Sequence, residues 1–156
     1  MSQPSPFLET AIDNLRDLIA FDTTSRHSNL PLIDHVEQRL TALGAHCERI
    51  PNSEGNKANL HAIIGPMVDG GVVLSGHTDV VPVDGQPWTS DPWTLTDKGD
   101  GKLYGRGTCD MKGFSACILA LAPMFAAAKL KRPVHIALSF DEEIGCIGAP
   151  AMIEKI

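Results

Sequence analysis

The chain has 156 residues, 43% hydrophobic and 21% charged, the balance of one soluble globular domain with an apolar core of its own. A formal net charge of −6 argues against nucleic acid as a partner. The four cysteines (Cys47, Cys109, Cys117, Cys146) form no C-x-x-C pair, which argues against a zinc knuckle, and the polar start Met1 to Pro6 has no secretory signal; a reduced, cytoplasmic protein is expected.

Leu8, Ile12, Leu15, Leu18 and Ile19 recur at helical spacing and predict an amphipathic helix over residues 6–20. A second stripe, Leu32, Ile33, Val36, Leu40 and Leu43, opens with Pro31 in its first turn and closes at Gly44. Strands are predicted at 45–50 and 59–64, separated by the polar loop 51–57, with Gly65-Pro66 ending the second. After the turn Asp69-Gly70-Gly71, the run Val72-Val73-Leu74 reads as a strand buried on both faces.

The Gly-, Pro- and Trp-containing stretch from Val81 to Gly101 is expected to be a functional loop anchored by Trp88 and Trp93, followed by a short strand at Leu103-Tyr104. Residues 112–128 are helical and apolar nearly all round, hence predicted buried. Pro123 interrupts their apolar run, which is too short to span a bilayer, so no membrane partner is expected. A strand at 134–139 and a helix near Ala149 complete the pattern. Helices alternating with strands predict an α/β fold: a three-layer sandwich with a mixed, mostly parallel sheet flanked by helices.

Three short motifs near predicted strand ends carry the chemistry, where open α/β sheets place their sites. In Ser75-Gly76-His77-Thr78-Asp79, residues i and i+2 point the same way, so His77 can bind a metal through one ring nitrogen while Asp79 orients the other. A histidine in a surface turn has the same local sequence. In Gly105-Arg106-Gly107-Thr108-Cys109-Asp110-Met111-Lys112-Gly113, Asp110 stands just ahead of a helix, where it is either a metal-binding carboxylate or a plain N-cap. The glycines do not match the dinucleotide fingerprint. In Asp141-Glu142-Glu143, three acids follow an apolar strand: either a solvated turn, or a pair in which one carboxylate binds metal and its neighbour stays free as a base. His27, His35, His46, His61 and His135 are expected to have no catalytic role, and Cys109 to be a packing residue.

Taken together and in this order, the strings Gly76-His77-Thr78-Asp79-Val80-Val81-Pro82, Gly105-Arg106-Gly107 with Asp110-Met111-Lys112-Gly113, and Asp141-Glu142-Glu143 resemble the metallopeptidase and deacylase family that includes acetylornithine deacetylases, succinyl-diaminopimelate desuccinylases, aminoacylases and glutamate-releasing carboxypeptidases. The resemblance implies two Zn2+ ions, with Co2+ as a substitute. His77 is then a ligand of one zinc, Asp110 the bridging ligand, Glu143 a ligand of the second, Glu142 the general base and Asp79 the acid that orients His77. It also implies a cis peptide after Asp110. Within the family, Trp88-Thr89-Ser90-Asp91-Pro92-Trp93 and Thr108 through Phe114 are most similar to the acetylornithine deacetylases, implying a small acetylated amino acid as substrate and a role in arginine biosynthesis.

Family members are more than twice as long. The resemblance implies a further carboxylate ligand, a second histidine ligand and an inserted lid domain that mediates homodimerisation, all after Ile156. The chain is therefore expected to be the N-terminal part of the catalytic domain, inactive on its own. The alternatives are another deacylase or peptidase of the same family, or a short non-catalytic α/β module.

Overall fold

In the computed structural model, which describes residues 5–156, the first apolar stripe forms α1 (Pro6–Ile19). The Ser5 hydroxyl accepts the Phe7 amide at 3.3 Å, and Pro6 sits in the first turn, where its missing N–H is no loss. The second stripe forms α2 (Leu30–Ala42), burying Leu32, Ile33, Val36 and Leu40. Gly44, at φ +82°, supplies the left-handed residue that ends it, and its amide donates to the Thr41 carbonyl.

The chain then runs through β1 (His46–Pro51), β2 (Ala58–Ile64) and β3 (Val72–His77). A small hairpin of β4 (Thr96–Asp97) and β5 (Leu103–Tyr104) lies within the long loop. After it come α3 (Lys112–Ala127), β6 (Val134–Ser139) and α4 (Ala149–Ile153). The main sheet has the order β1-β2-β6-β3.

Alternation along the strands gives the sheet two different faces. Leu60, Ala62, Ile64, Ile136 and Leu138 form one continuous core with Leu18, Ile19, Ile33, Leu40, Ala116, Leu119 and Ala122 of α1, α2 and α3. The short α4 packs against β6, with Met152 buried. The fold is thus an α/β layered arrangement with a mixed sheet, as the sequence implied. Within these four strands the balance differs from a mostly parallel sheet: β3–β6 is parallel, while β1–β2 and β2–β6 are antiparallel. The connection between β1 and β2 is too short for a crossover and forces a hairpin.

Two burial expectations are corrected. Val72 and Val73 are 59% and 42% exposed: among the described strands β3 is an edge strand that pairs with β6, and at its start neither face is covered. In α3, Phe114, Cys117 and Met124 are exposed, so that helix buries one side and not its whole circumference. Among the described residues no helix is long and apolar enough to cross a membrane.

Candidate metal centre

The parallel β3–β6 ladder brings the first and third motifs side by side. His77 ends β3 in register with Ser139, which ends β6, and the Thr78 amide donates to the Ser139 carbonyl at 2.8 Å. Both chains therefore leave the sheet at the same carboxyl edge. The second motif arrives there from the loop ahead of α3.

At this edge the His77 ring is 5% exposed. Its Nδ1 lies 2.9 Å from the Asp79 carbonyl oxygen, while the Asp79 carboxylate is at 3.5 Å. Its Nε2 lies 3.0 Å from Asp110 Oδ1 and 3.7 Å from Glu142 Oε2. With Nδ1–H donating to the carbonyl, Nε2 is the nitrogen free to bind a cation. His77, Glu142 and Glu143 each offer a ligand atom, and these atoms all lie within 4.8 Å of one another.

Asp110 is not a helix cap. α3 begins at Lys112 with Met111 in the cap position and no side-chain cap bond, and the Asp110 carboxylate turns to His77 instead. The Asp110–Met111 peptide is cis.

Asp79 holds the site from behind. The carbonyl, rather than the carboxylate, makes the short bond to the imidazole. The buried carboxylate accepts the Ser25 hydroxyl at 2.7 Å, the Glu142 amide at 2.9 Å and the Glu143 amide at 3.2 Å. It thus fixes the backbone that carries the two glutamates.

Charge in the cluster is one-sided. Burial alone would push the His77 pKa down; the Asp79 carboxylate and carbonyl, followed by Asp110, outweigh it and raise the pKa to about 9. Burial raises the Glu143 carboxyl, and the negative charge of Asp110 adds to that. For Asp79 burial also acts upward, but the hydrogen bonds from His77, Ser25 and the two amides bring it below the usual carboxylate range. One imidazole surrounded by Asp79, Asp110, Glu142 and Glu143 is a donor set of nitrogen and carboxylate oxygen that fits a divalent cation of the zinc type.

Further contacts around the site come from residues that the motifs either omit or give no role. Ser25 reaches Asp79 across 54 positions. Lys112 is buried; its ammonium donates to the Phe21 carbonyl at 2.7 Å and lies 5.7 Å from the Trp93 ring centroid. Burial lowers its pKa to about 7, against the pull of Asp22. Both loop tryptophans are half-buried and face cations, Trp93 the Lys112 ammonium and Trp88 the Arg106 guanidinium. Cys109, expected to pack, is exposed, whereas the Cys146 thiol lies 3.7 Å from Glu142 Oε1. His61 and His135 stack on each other with ring centroids 5.2 Å apart on β2 and β6. Two clefts flank the cluster: one of about 250 Å³, beside Asp110, is lined by Trp88 and Arg106; the other, of about 260 Å³, beside Glu143, is lined by Ser25 and Pro82.

The region that holds this cluster has known relatives. Residues 73–156, which include all five of His77, Asp79, Asp110, Glu142 and Glu143, match the family described as Peptidase family M20/M25/M40. The chain is 43% identical over 159 residues to an acetylornithine deacetylase of Myxococcus xanthus, covering 99% of this chain and 40% of that one. It is 42% identical over 148 residues to one of Shigella sonnei (strain Ss046), covering 92% and 38%. It thus spans about two fifths of the length of these curated relatives. In fold it is similar to human carnosine dipeptidase 1, with a TM-score of 0.78 at 24% identity, covering 97% of this chain and 38% of that one. The M20 family metallo-carboxypeptidase Sso-CP2 from Sulfolobus solfataricus also gives 0.78, at 21% identity, covering 99% and 34%. With the matched region spanning the whole His77 cluster, the chain belongs to peptidase family M20/M25/M40.

Proposed function

We propose that this chain supplies the first part of a two-zinc amidohydrolase site that cleaves the amide bond of N2-acetyl-L-ornithine, releasing ornithine and acetate. The observation that carries the metal site is the convergence of His77, Glu142 and Glu143 within 4.8 Å, with Asp110 on the same ring nitrogen. The choice of substrate is supported by the relatives, two of which are named acetylornithine deacetylase at 42–43% identity.

His77 and Glu143 would hold one cation each and Asp110 would bridge them; Co2+ is the expected substitute for Zn2+. When bound, such a pair lowers the pKa of a shared water and polarises the scissile carbonyl. The chain's own residues do the rest. The Asp79 carbonyl keeps the proton on His77 Nδ1, leaving Nε2 as the donor atom. Asp79 also holds the Glu142 and Glu143 amides, so the two carboxylates enter from one fixed turn. Glu142, 43% exposed and 3.7 Å from the ring, takes the proton of the attacking water at a carboxylate oxygen and returns it to the leaving amine nitrogen.

The test is hydrolysis by the protein expressed from its complete reading frame and loaded with zinc. N-acetylornithine, N-succinyl-diaminopimelate and acetyl-methionine are compared by kcat/KM. Preference for the first is expected. Preference for another would replace the substrate while keeping the chemistry, and turnover of none would remove the enzyme assignment.

A further inference from the structure

Asp141 is the first of the three consecutive acids, and its carboxylate bonds away from His77. Its backbone lies at φ +54°, the left-handed region, uncommon for non-glycine residues although aspartate enters it more readily than most. The Lys57 ammonium, at the end of the β1–β2 connection, donates to both Asp141 carboxylate oxygens, at 2.6 and 2.7 Å. The same ammonium donates to the Ser25 carbonyl at 2.5 Å. The two side chains are 12% and 10% exposed, so the pair is nearly buried.

Two residues further along, Asn59 closes the base of the same turn. Its side chain accepts the Phe140 amide at 3.1 Å and donates to the Gly148 carbonyl at 2.8 Å. Ser25, held by Lys57 through its carbonyl, gives its hydroxyl to Asp79, which in turn holds the Glu142 and Glu143 amides. Lys57 therefore grips the turn twice: directly at Asp141, and through Ser25 and Asp79.

We propose that Lys57 is a positioning residue for the metal centre. Its ion pair with Asp141 sets the left-handed backbone there, so that the next two residues present their carboxylates to His77. The inference rests on the metal-site reading given above. Without its lysine, Asp141 becomes a buried, unpaired carboxylate one residue from Glu142, and the turn rearranges to hydrate it.

The experiment uses the protein expressed from its complete reading frame, titrated with Co2+ and followed by its visible absorption, with kcat and KM measured alongside. Lys57→Met is expected to weaken Co2+ affinity and lower kcat by roughly 10–100-fold, with a shifted cobalt spectrum and a smaller change in KM. Lys57→Arg should recover most of each, because a guanidinium also pairs with a carboxylate. The double variant Lys57→Met/Asp141→Asn leaves no unpaired buried charge, so it guards against simple misfolding; it should regain thermal stability while keeping the shifted spectrum. A wild-type spectrum and affinity in the single or the double variant would overturn the proposal and leave the metal site standing. Absence of any cobalt spectrum in the wild-type protein would remove both.

Discussion

Asp79 and Glu142 are 63 positions apart in the chain, yet Asp79 Oδ1 accepts the Glu142 backbone N–H at 2.9 Å. The bond spans from the exit of β3 to the turn after β6. Beside its longer-range pull on the His77 ring, this carboxylate directs its short hydrogen bonds to the backbone that carries the neighbouring glutamates and to Ser25.

Replacing Asp79 by alanine should therefore cost more than an altered imidazole. Three donors lose their acceptor, one of them the buried Ser25 hydroxyl. Stability is expected to fall on the order of 3 kcal/mol in urea unfolding, since unpaired buried donors each carry a penalty. Zinc affinity should fall roughly 10–100-fold by calorimetry. A variant as stable as wild type would show that the turn at 141–143 is held by other contacts.

Glu142→Gln separates base from ligand. If the carboxylate moves protons, kcat should drop by about 10²–10⁴-fold while metal content, measured by elemental analysis, stays near wild type. Glu142 lies within ligand distance of His77 and Glu143, so loss of metal in this variant would make it a ligand and leave the base unassigned.

The metal-free protein should carry a pH signature of His77. Its pKa is raised to about 9 from an ordinary 6.5: burial acts downward, but the Asp79 and Asp110 bonds prevail. A raised folded-state pKa means that the stability contributed by protonation is complete below about pH 6.5 and is lost as pH rises through 9. Metal-free wild type should thus lose stability across that window relative to His77→Gln. At pH 7, zinc binding should release a proton, because a ligand imidazole is neutral. Parallel stability curves for the two proteins, or zinc uptake whose heat is independent of buffer ionisation, would contradict the assignment.

Gly113 has a steric reason to lack a side chain. A Cβ there would overlap the Thr108 carbonyl oxygen, which belongs to the loop that delivers Asp110. Gly113→Ala should push that loop away, costing about 1–3 kcal/mol in unfolding experiments and weakening zinc binding together with it. Wild-type affinity in a destabilised variant would mean that Asp110 tolerates the displacement.

The elements and the candidate site residues that the sheet edge brings together were legible in the sequence because both are written in local pattern. The 3.6-residue stripe of Leu15, Leu18 and Ile19 reports a buried helix face wherever that face ends up, and His77, Asp79, Asp110, Glu142 and Glu143 lie in short strings of distinctive chemistry. What depended on neighbours was not legible. Val72 and Val73 are as apolar as any buried strand, but only the strand order makes β3 an edge. Ser25 and Lys57 have unremarkable local contexts, and Lys112 stands in a motif that gives no hint of its burial; their partners, Asp79, Asp141 and Phe21, lie 54, 84 and 91 positions away. Local sequence determines which groups are available and which face of an element is apolar. Which of those groups meet is decided by register and packing, since hydrogen bonds and charge pairs depend on distances of a few ångströms that only the assembled sheet, with β3 and β6 parallel, brings about.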